Sequence, residues 1–138
     1  MIRAITCIGI FLMTLSAGSL QGQSEQRLRL KADSLDKQTI SRSLLTARDS
    51  INNYRAQLTQ RVEDTRTDQQ VRKRLTTALI ELNRSKEKLE GLIAEVAASK
   101  NNTWNTTLHG KASATLRDAR REFKRIREDV KDLVVTSS

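Results

Sequence analysis

The sequence is poor in the residues that interrupt helices. Its 138 residues include no proline and five glycines, and two of these glycines, Gly9 and Gly18, lie near the N-terminus. Long uninterrupted helices are therefore allowed, because proline and glycine are the strongest interrupters of a helix. Aromatic residues make up 3% of the chain, so any core must be built mainly from aliphatic side chains.

Cysteine and histidine are equally scarce. Cys7 is the one cysteine and lies in an N-terminal apolar run, and His109 is the one histidine. The rest of the chain therefore has no disulfide or thiolate site, and one histidine cannot form a zinc site of the usual kind. The sequence also has no Gly-rich phosphate loop and no nucleophile motif. We expect no enzymatic activity, metal or cofactor, and we interpret His109 as a partly exposed helix residue.

Charge is plentiful and unbalanced. Lysine and arginine number 25 against 16 aspartate and glutamate residues, which gives a formal net charge of +9. This excess favours contact with anionic partners such as nucleic acid, acidic lipid or the polymers of a cell envelope. The alternative is a solvated surface on which like charge keeps the protein soluble.

The N-terminal residues have the layout of a secretory signal peptide. Arg3 gives a positive start, an apolar run follows over 4–15, and small residues come next at 16–19. The run is shorter than the roughly 20 apolar residues that a transmembrane helix needs. We assign 1–22 as the signal peptide of a periplasmic or secreted bacterial protein, with cleavage between Gly18 and Gly22. An uncleaved N-terminal anchor is the alternative.

Three heptad seams follow, in each of which apolar residues recur at alternating steps of about four and three residues. The seams predict an all-α fold, an antiparallel three-helix coiled coil over 37–136 with helices at about 37–66, 68–99 and 103–135. Residues 23–36 are polar and are predicted as a lead-in or as the start of the first helix. The three seams are Ile40 to Leu58, Val71 to Val96 and Trp104 to Leu133.

The link between the first two seams predicts a helical hairpin. No apolar residue occurs between Glu63 and Gln70, and the second seam is out of phase with the first. A phase change inside a polar segment indicates a turn near 64–68, although one continuous helix with a phase slip is the alternative. Thr67 and Gln70 have the spacing of a capping box for the second helix.

Trp104 is predicted to be the packing anchor of the bundle. It is the only tryptophan and stands at the first position of the third seam. In a closed bundle the indole packs over the open end of the hairpin. In a loose hairpin with a detached third helix it would be exposed to water.

The third helix carries a regular row of basic residues beside its apolar seam. At spacings of three and four these residues form one stripe, which could lie along a polyanion. No aromatic residues are interleaved for base stacking, so we expect no sequence-specific nucleic-acid binding. The alternative is a flank that pairs with acids of the second helix, namely Glu81, Glu87, Glu90 and Glu95. We call this row the basic stripe: Arg117, Arg120, Lys124, Arg127 and Lys131.

Three asparagines, Asn83, Asn101 and Asn105, match the acceptor pattern for N-glycosylation. The short basic signal peptide is typical of bacteria, in which these matches would be inert. We expect them to be unused.

The layout resembles a family of small bacterial coiled-coil proteins described as stress-response proteins. The shared features are a charged hairpin with a leucine-rich second arm, a polar link, and a tryptophan that opens the third helix, here Trp104. The family has no defined activity to carry over, and this chain is basic and exported whereas the members compared are acidic. We expect a non-enzymatic structural or interaction protein of the cell envelope, with a stress-related role implied by the resemblance. A polyanion or acidic membrane-surface binder that uses the basic stripe is the alternative, and self-association or a helical protein partner is a further expectation.

Overall fold

A computed structural model describes the backbone of residues 18–135 and the side chains of 22–134. Of the predicted signal peptide, 1–17 lie outside the described residues. No helix within the described part of the chain is both long enough and apolar enough to span a membrane.

The described residues form three long helical arms and no β-strand, which confirms the all-α prediction. The first two arms are α1 (Gly18–Glu63) and α2 (Gln69–Ala98). The third arm consists of the short helix α3 (Asn101–Thr103), a π-helical turn (Trp104–Leu108) and α4 (His109–Val135). Every pair among α1, α2 and α4 is in contact, so the arms close into a bundle.

The first arm includes the polar segment 23–36, for which the sequence left open a lead-in or the start of the first helix. Residues 23–36 belong to α1, whose 46 residues extend over about 70 Å, whereas the 30 residues of α2 extend over about 45 Å. The N-terminal part of α1 therefore projects beyond the bundle, and all residues from 22 to 32 are exposed. Leu28 and Leu30 on this projection are 67% and 45% exposed.

The first and third arms run parallel, because contacts between them keep a constant offset along the two chains. Near the start of the arms, the Asn105 amide donates to the Asp33 carboxylate at 2.6 Å. Near their ends, the Arg61 guanidinium donates to the Leu133 carbonyl at 3.2 Å. Both pairs are 72 residues apart in sequence, so α1 and α4 advance in the same direction and α2 returns between them.

The three seams meet in one thin core. The second seam contributes the most continuous row, and its one polar member, Ser85, is only 2% exposed. The Ser85 hydroxyl donates to the Glu122 carboxylate of α4, so this buried polar group has a partner. The buried apolar residues are Leu44, Ile51, Leu58, Leu75, Ala78, Leu82, Leu89, Leu92, Val96, Trp104, Leu108, Ala112, Leu116, Ala119, Ile126 and Val130.

The hairpin turn lies where the phase break indicates, but the predicted capping box is wrong. The cap of α2 is Asp68, whose carboxylate accepts from the backbone N–H groups of Gln70 at 2.8 Å and Val71 at 3.4 Å. Thr67 is buried, and its hydroxyl donates to the Arg61 carbonyl at 2.7 Å. The Thr67 hydroxyl closes the end of α1, so it is not the cap of α2.

The third arm opens with the π-helical turn that holds Trp104. The His109 backbone N–H donates to the Trp104 carbonyl, five residues earlier, which widens the turn by one residue. Trp104, Leu108 and Ala112 follow one another at steps of four, which would drift around a regular α-helix. The wider turn offsets part of this drift, and all three side chains are buried.

We expect Trp104→Ala to destabilise the bundle by about 3–5 kcal/mol, the usual cost of deleting a buried large aromatic side chain. The indole is 1% exposed and lies in the same core cluster as Leu92 and Val96. Urea unfolding followed by far-UV circular dichroism measures the change. Ile80→Ala, at a residue that is 51% exposed, is the matched control and should change stability far less. Equal unfolding midpoints for the two variants would show that the indole is not part of the core.

The hydrogen bonds within the hairpin turn predict an unusually low pKa for Asp64. The Asp64 carboxylate accepts from the Arg66 guanidinium at 3.1 and 3.2 Å and from the Arg66 backbone N–H at 3.0 Å, and Arg61 lies 3.6 Å away. These hydrogen bonds, chiefly that of the guanidinium, lower the pKa of Asp64 from 3.8 to about 2. Because the folded state favours the ionised form, the contribution of Asp64 to stability is complete above about pH 4 and is lost as the pH falls towards 2.

The carboxyl ¹³C resonance of Asp64 measures this pKa directly. We expect a midpoint near pH 2 in the unchanged protein and a shift towards 3.8 in Arg66→Gln. Arg74→Gln in α2 is the control and should leave the midpoint in place. A midpoint near 3.8 in the unchanged protein contradicts the described turn.

Candidate anion-binding groove

The basic stripe lies on α4 and follows the edge of the helix that faces α1. Its five residues span 117–131, a rise of about 21 Å, and all five are exposed. Arg120 lines a shallow groove with Thr46 and Ser50 of α1, and Arg127 lines its continuation with Asn53 and Gln57. We call this surface the α1–α4 groove; its lining residues are Thr46, Ala47, Ser50, Ile51, Asn53, Tyr54, Gln57, Ala119, Arg120, Phe123 and Arg127.

The opposite edge of α4 faces α2, and its cations are neutralised there. Arg125 pairs with Glu81 of α2 at 2.6 Å, and Lys111 pairs with Glu95 at 2.6 Å. The hydrogen bond from Arg125 to Glu81 raises the pKa of the Arg125 guanidinium above its ordinary value. These contacts are the interhelical flank pairs that a helical bundle typically forms, but the cations involved lie outside the basic stripe.

The alternative interpretation of the stripe, pairing with four acids of α2, is therefore wrong. Two of these acids pair with Arg125 and Lys111. Of the other two, Glu90 pairs with Lys86 on its own helix at 3.3 Å, and Glu87 accepts from the Asn83 amide at 2.9 Å. Across the described residues, four members of the stripe have neither a side-chain hydrogen bond nor an ion pair: Arg117, Arg120, Lys124 and Arg127.

Glu128 lies beside the stripe, and our sequence analysis did not include it. Glu128 pairs with Lys131 at 2.7 Å, and this hydrogen bond lowers the pKa of Glu128, with smaller contributions from Arg127 and Lys124. The signal was present in the spacing, since Glu128 follows Lys124 by four residues and precedes Lys131 by three. The stripe therefore keeps four cations without an ion pair towards its N-terminal end and one neutralised pair at its C-terminal end.

The α1 side of the groove is polar but uncharged. Its exposed side chains are hydroxyls and amides, namely Thr46, Ser50, Asn53 and Gln57, and no carboxylate is among the residues that line the groove. Asp49, within the same segment of α1, pairs with Arg48 of its own helix at 2.7 Å. Asp36 lies 3.2 Å from the His109 imidazole, and Asp64 is held by Arg61 and Arg66. Among the described residues, no acid of α1 forms an ion pair with a member of the basic stripe.

Two aromatic rings form part of the floor of the groove. Tyr54 of α1 and Phe123 of α4 meet edge to face, with ring centroids 5.7 Å apart, and both are half-buried. Burial raises the pKa of Tyr54, against the opposing effect of Arg127, and the buried Tyr54 hydroxyl has no hydrogen-bond partner among the described residues. The sequence pattern showed no aromatic interleaved with the stripe, because Tyr54 comes from another helix and Phe123 is a member of the apolar seam.

His109 has a partner that spacing could not show. Its Nε2 atom lies 3.2 Å from the Asp36 carboxylate, and its ring meets Trp104 edge to face at 5.5 Å. Asn105 is hydrogen-bonded to Asp33 beside this pair, so the π-helical turn and the first residue of α4 are each joined to α1 by a polar contact. Asn101 is exposed in α3, as is Asn105 in the turn.

The groove can supply positive charge, hydrogen bonds and an aromatic floor, but it has no acid–base pair aimed at a cavity. In the described part of the chain, no three residues of the types histidine, cysteine, aspartate and glutamate are grouped closely enough to hold a metal ion.

Comparisons with known proteins identify no relative. No protein family model matches the chain, and neither the curated proteins nor the solved structures include a significant match. The resemblance to coiled-coil stress-response proteins therefore stays a prediction.

Proposed function

We propose that this protein is a non-enzymatic helical bundle of the cell envelope that acts by binding an anionic polymer along the basic stripe. The proposal rests on one observation: the cations on one edge of α4 form ion pairs, and most of those on the other edge do not. The edge facing α2 is paired with Glu81 and Glu95, whereas four cations on the edge facing α1 are exposed and unpaired.

A row of exposed cations is suited to an extended polyanion. Each contact releases counterions condensed on the polymer, which favours binding at low salt without any deep pocket. The position of the row on the bundle is also fixed, because Ala119, Ile126 and Val130 of the same helix are buried in the core. A polymer that lies along α4 would thus meet unpaired cations at regular intervals over about 15 Å, from Arg117 to Arg127.

A lipid surface fits this edge less well than a polymer does. Proteins that lie in a membrane interface usually insert large apolar side chains beside their basic residues. Among the residues whose side chains the structure describes, the exposed large apolar ones lie elsewhere, and none of them lines the α1–α4 groove. Acidic vesicles are therefore an alternative partner that binding experiments can test.

The envelope location and the stress-related role rest on different grounds. The location rests on the signal-peptide pattern of 1–22, together with the abundance of anionic polymers outside the cytoplasm. The stress-related role rests on the family resemblance alone and stays a prediction. Self-association is a further prediction, for which the exposed projection at the start of α1 is the available surface.

The proposal is tested by removing three charges from the stripe. We expect Arg120→Gln, Lys124→Gln and Arg127→Gln together to weaken binding to heparin. We also expect the salt dependence to become less steep. The slope of log affinity against log salt should change from about −3 to about −1, because each lost contact removes roughly 0.7 from its magnitude. Isothermal titration calorimetry at several salt concentrations gives both quantities.

The control removes three exposed cations from α2, with the same change in net charge: Lys73→Gln, Arg84→Gln and Lys88→Gln. If both triple variants lose affinity equally, net charge alone drives binding and the stripe is not a site. Binding of the unchanged protein to phosphatidylglycerol vesicles in preference to heparin would support the membrane-surface alternative.

A further inference from the structure

The α1–α4 groove offers more than charge, and its second wall indicates the kind of polymer that it would bind. We propose that the polymer is an acidic polysaccharide, with carboxylate or sulfate groups held by Arg120 and Arg127 and sugar hydroxyls held by Asn53 and Gln57. This inference rests on the proposed function, since it concerns the same surface.

The amides on the α1 wall are available to a ligand. Asn53 and Gln57 are exposed, lie four residues apart on one face of the helix, and form no side-chain hydrogen bond within the described residues. A side-chain amide both donates and accepts hydrogen bonds, as does a hydroxyl group. Sugars present many hydroxyls, whereas a polyphosphate at neutral pH presents almost only acceptors. A bare polyphosphate can therefore use only the N–H donors of this wall, whereas a polysaccharide can use both its N–H donors and its carbonyl acceptors.

The floor of the same segment suits the apolar face of a sugar ring. Phe123 and Tyr54 are half-buried beside Asn53, Gln57 and Arg127, and their edge-to-face contact fixes the rings in place. The C–H groups on one face of a sugar can pack on such a surface while the hydroxyls at its edge reach the amides. An apolar floor with a few convergent polar groups is the usual composition of a small-molecule site.

The groove also repeats along its length. Thr46 and Ser50 face Arg120 in one segment, and Asn53 and Gln57 face Arg127 in the next. Each member of the second set lies seven residues after its counterpart in the first. Because α1 and α4 run parallel, the two segments are related by a shift of two helical turns, about 10.5 Å. Two similar segments in line favour a polymer of repeating units over a single small ligand.

A charge-neutral variant separates the polysaccharide from a bare polyanion. We expect Asn53→Ala with Gln57→Ala to weaken binding to heparin and to polygalacturonate about tenfold, the usual effect of losing one or two hydrogen bonds to charged or polar groups. Binding to inorganic polyphosphate should weaken by no more than about threefold, because the cations are intact and only the N–H donors of the amides are lost to this ligand. Gln38→Ala with Thr59→Ala, at exposed positions of α1 that do not line the groove, is the matched control and should leave all three affinities unchanged.

The outcomes distinguish this inference from the proposed function. If the double variant leaves both polysaccharides unaffected, or weakens polyphosphate to the same extent, the sugar-binding role of α1 is wrong. In that case the triple stripe variant still reports on anion binding. If the triple variant changes none of the three affinities, the proposed function fails as well. Tighter binding of the unchanged protein to polyphosphate or to single-stranded DNA than to both polysaccharides also overturns the inference. Circular dichroism and urea unfolding verify that each variant is folded.

Discussion

The structure depends on the burial of the third seam against the other two. Two helices alone would leave the apolar rows of Leu44 to Leu58 and Leu75 to Val96 partly exposed, and α4 covers both. A narrow seam of this kind places the residues beside it at the boundaries between helices. Each arm therefore has two edges, one for each neighbour, and the chemistry of an edge is set by what the neighbour presents.

The two edges of α4 meet different neighbours, and from this the proposed function follows. The acids of α2 reach Arg125 and Lys111, so that edge contributes to bundle structure. The corresponding edge of α1 offers hydroxyls and amides, and four of the five cations of the basic stripe have no ion pair. Exposed ion pairs contribute little to stability, so the pairing defines the neighbours of α4 more than it strengthens the fold. The unpaired edge is where we propose that an anionic partner binds.

The heptad spacing was enough to predict the helices, the hairpin turn and the three-arm bundle, because apolar periodicity is determined by helix geometry. It could not reveal which neighbour the basic stripe faces. A three-helix bundle can turn in either hand, and a row beside the seam faces α1 in one arrangement and α2 in the other. The capping box was predicted wrongly for a related reason. Thr67 has the right spacing, but in the folded bundle it is buried and its hydroxyl donates to the Arg61 carbonyl. Tyr54 and Phe123 meet only once the arms are assembled.

The central claim is that the α1–α4 groove is the binding surface, and a chemical-shift map of the complex tests it most directly. ¹H–¹⁵N spectra of the labelled protein would be recorded as a heparin hexasaccharide is added. The account predicts that the largest shifts lie on both walls of the groove, at Asn53, Gln57, Arg120 and Arg127. Shifts concentrated on the outer face of α2, around Lys73, Arg84 and Lys88, or spread evenly over the basic residues, would contradict it.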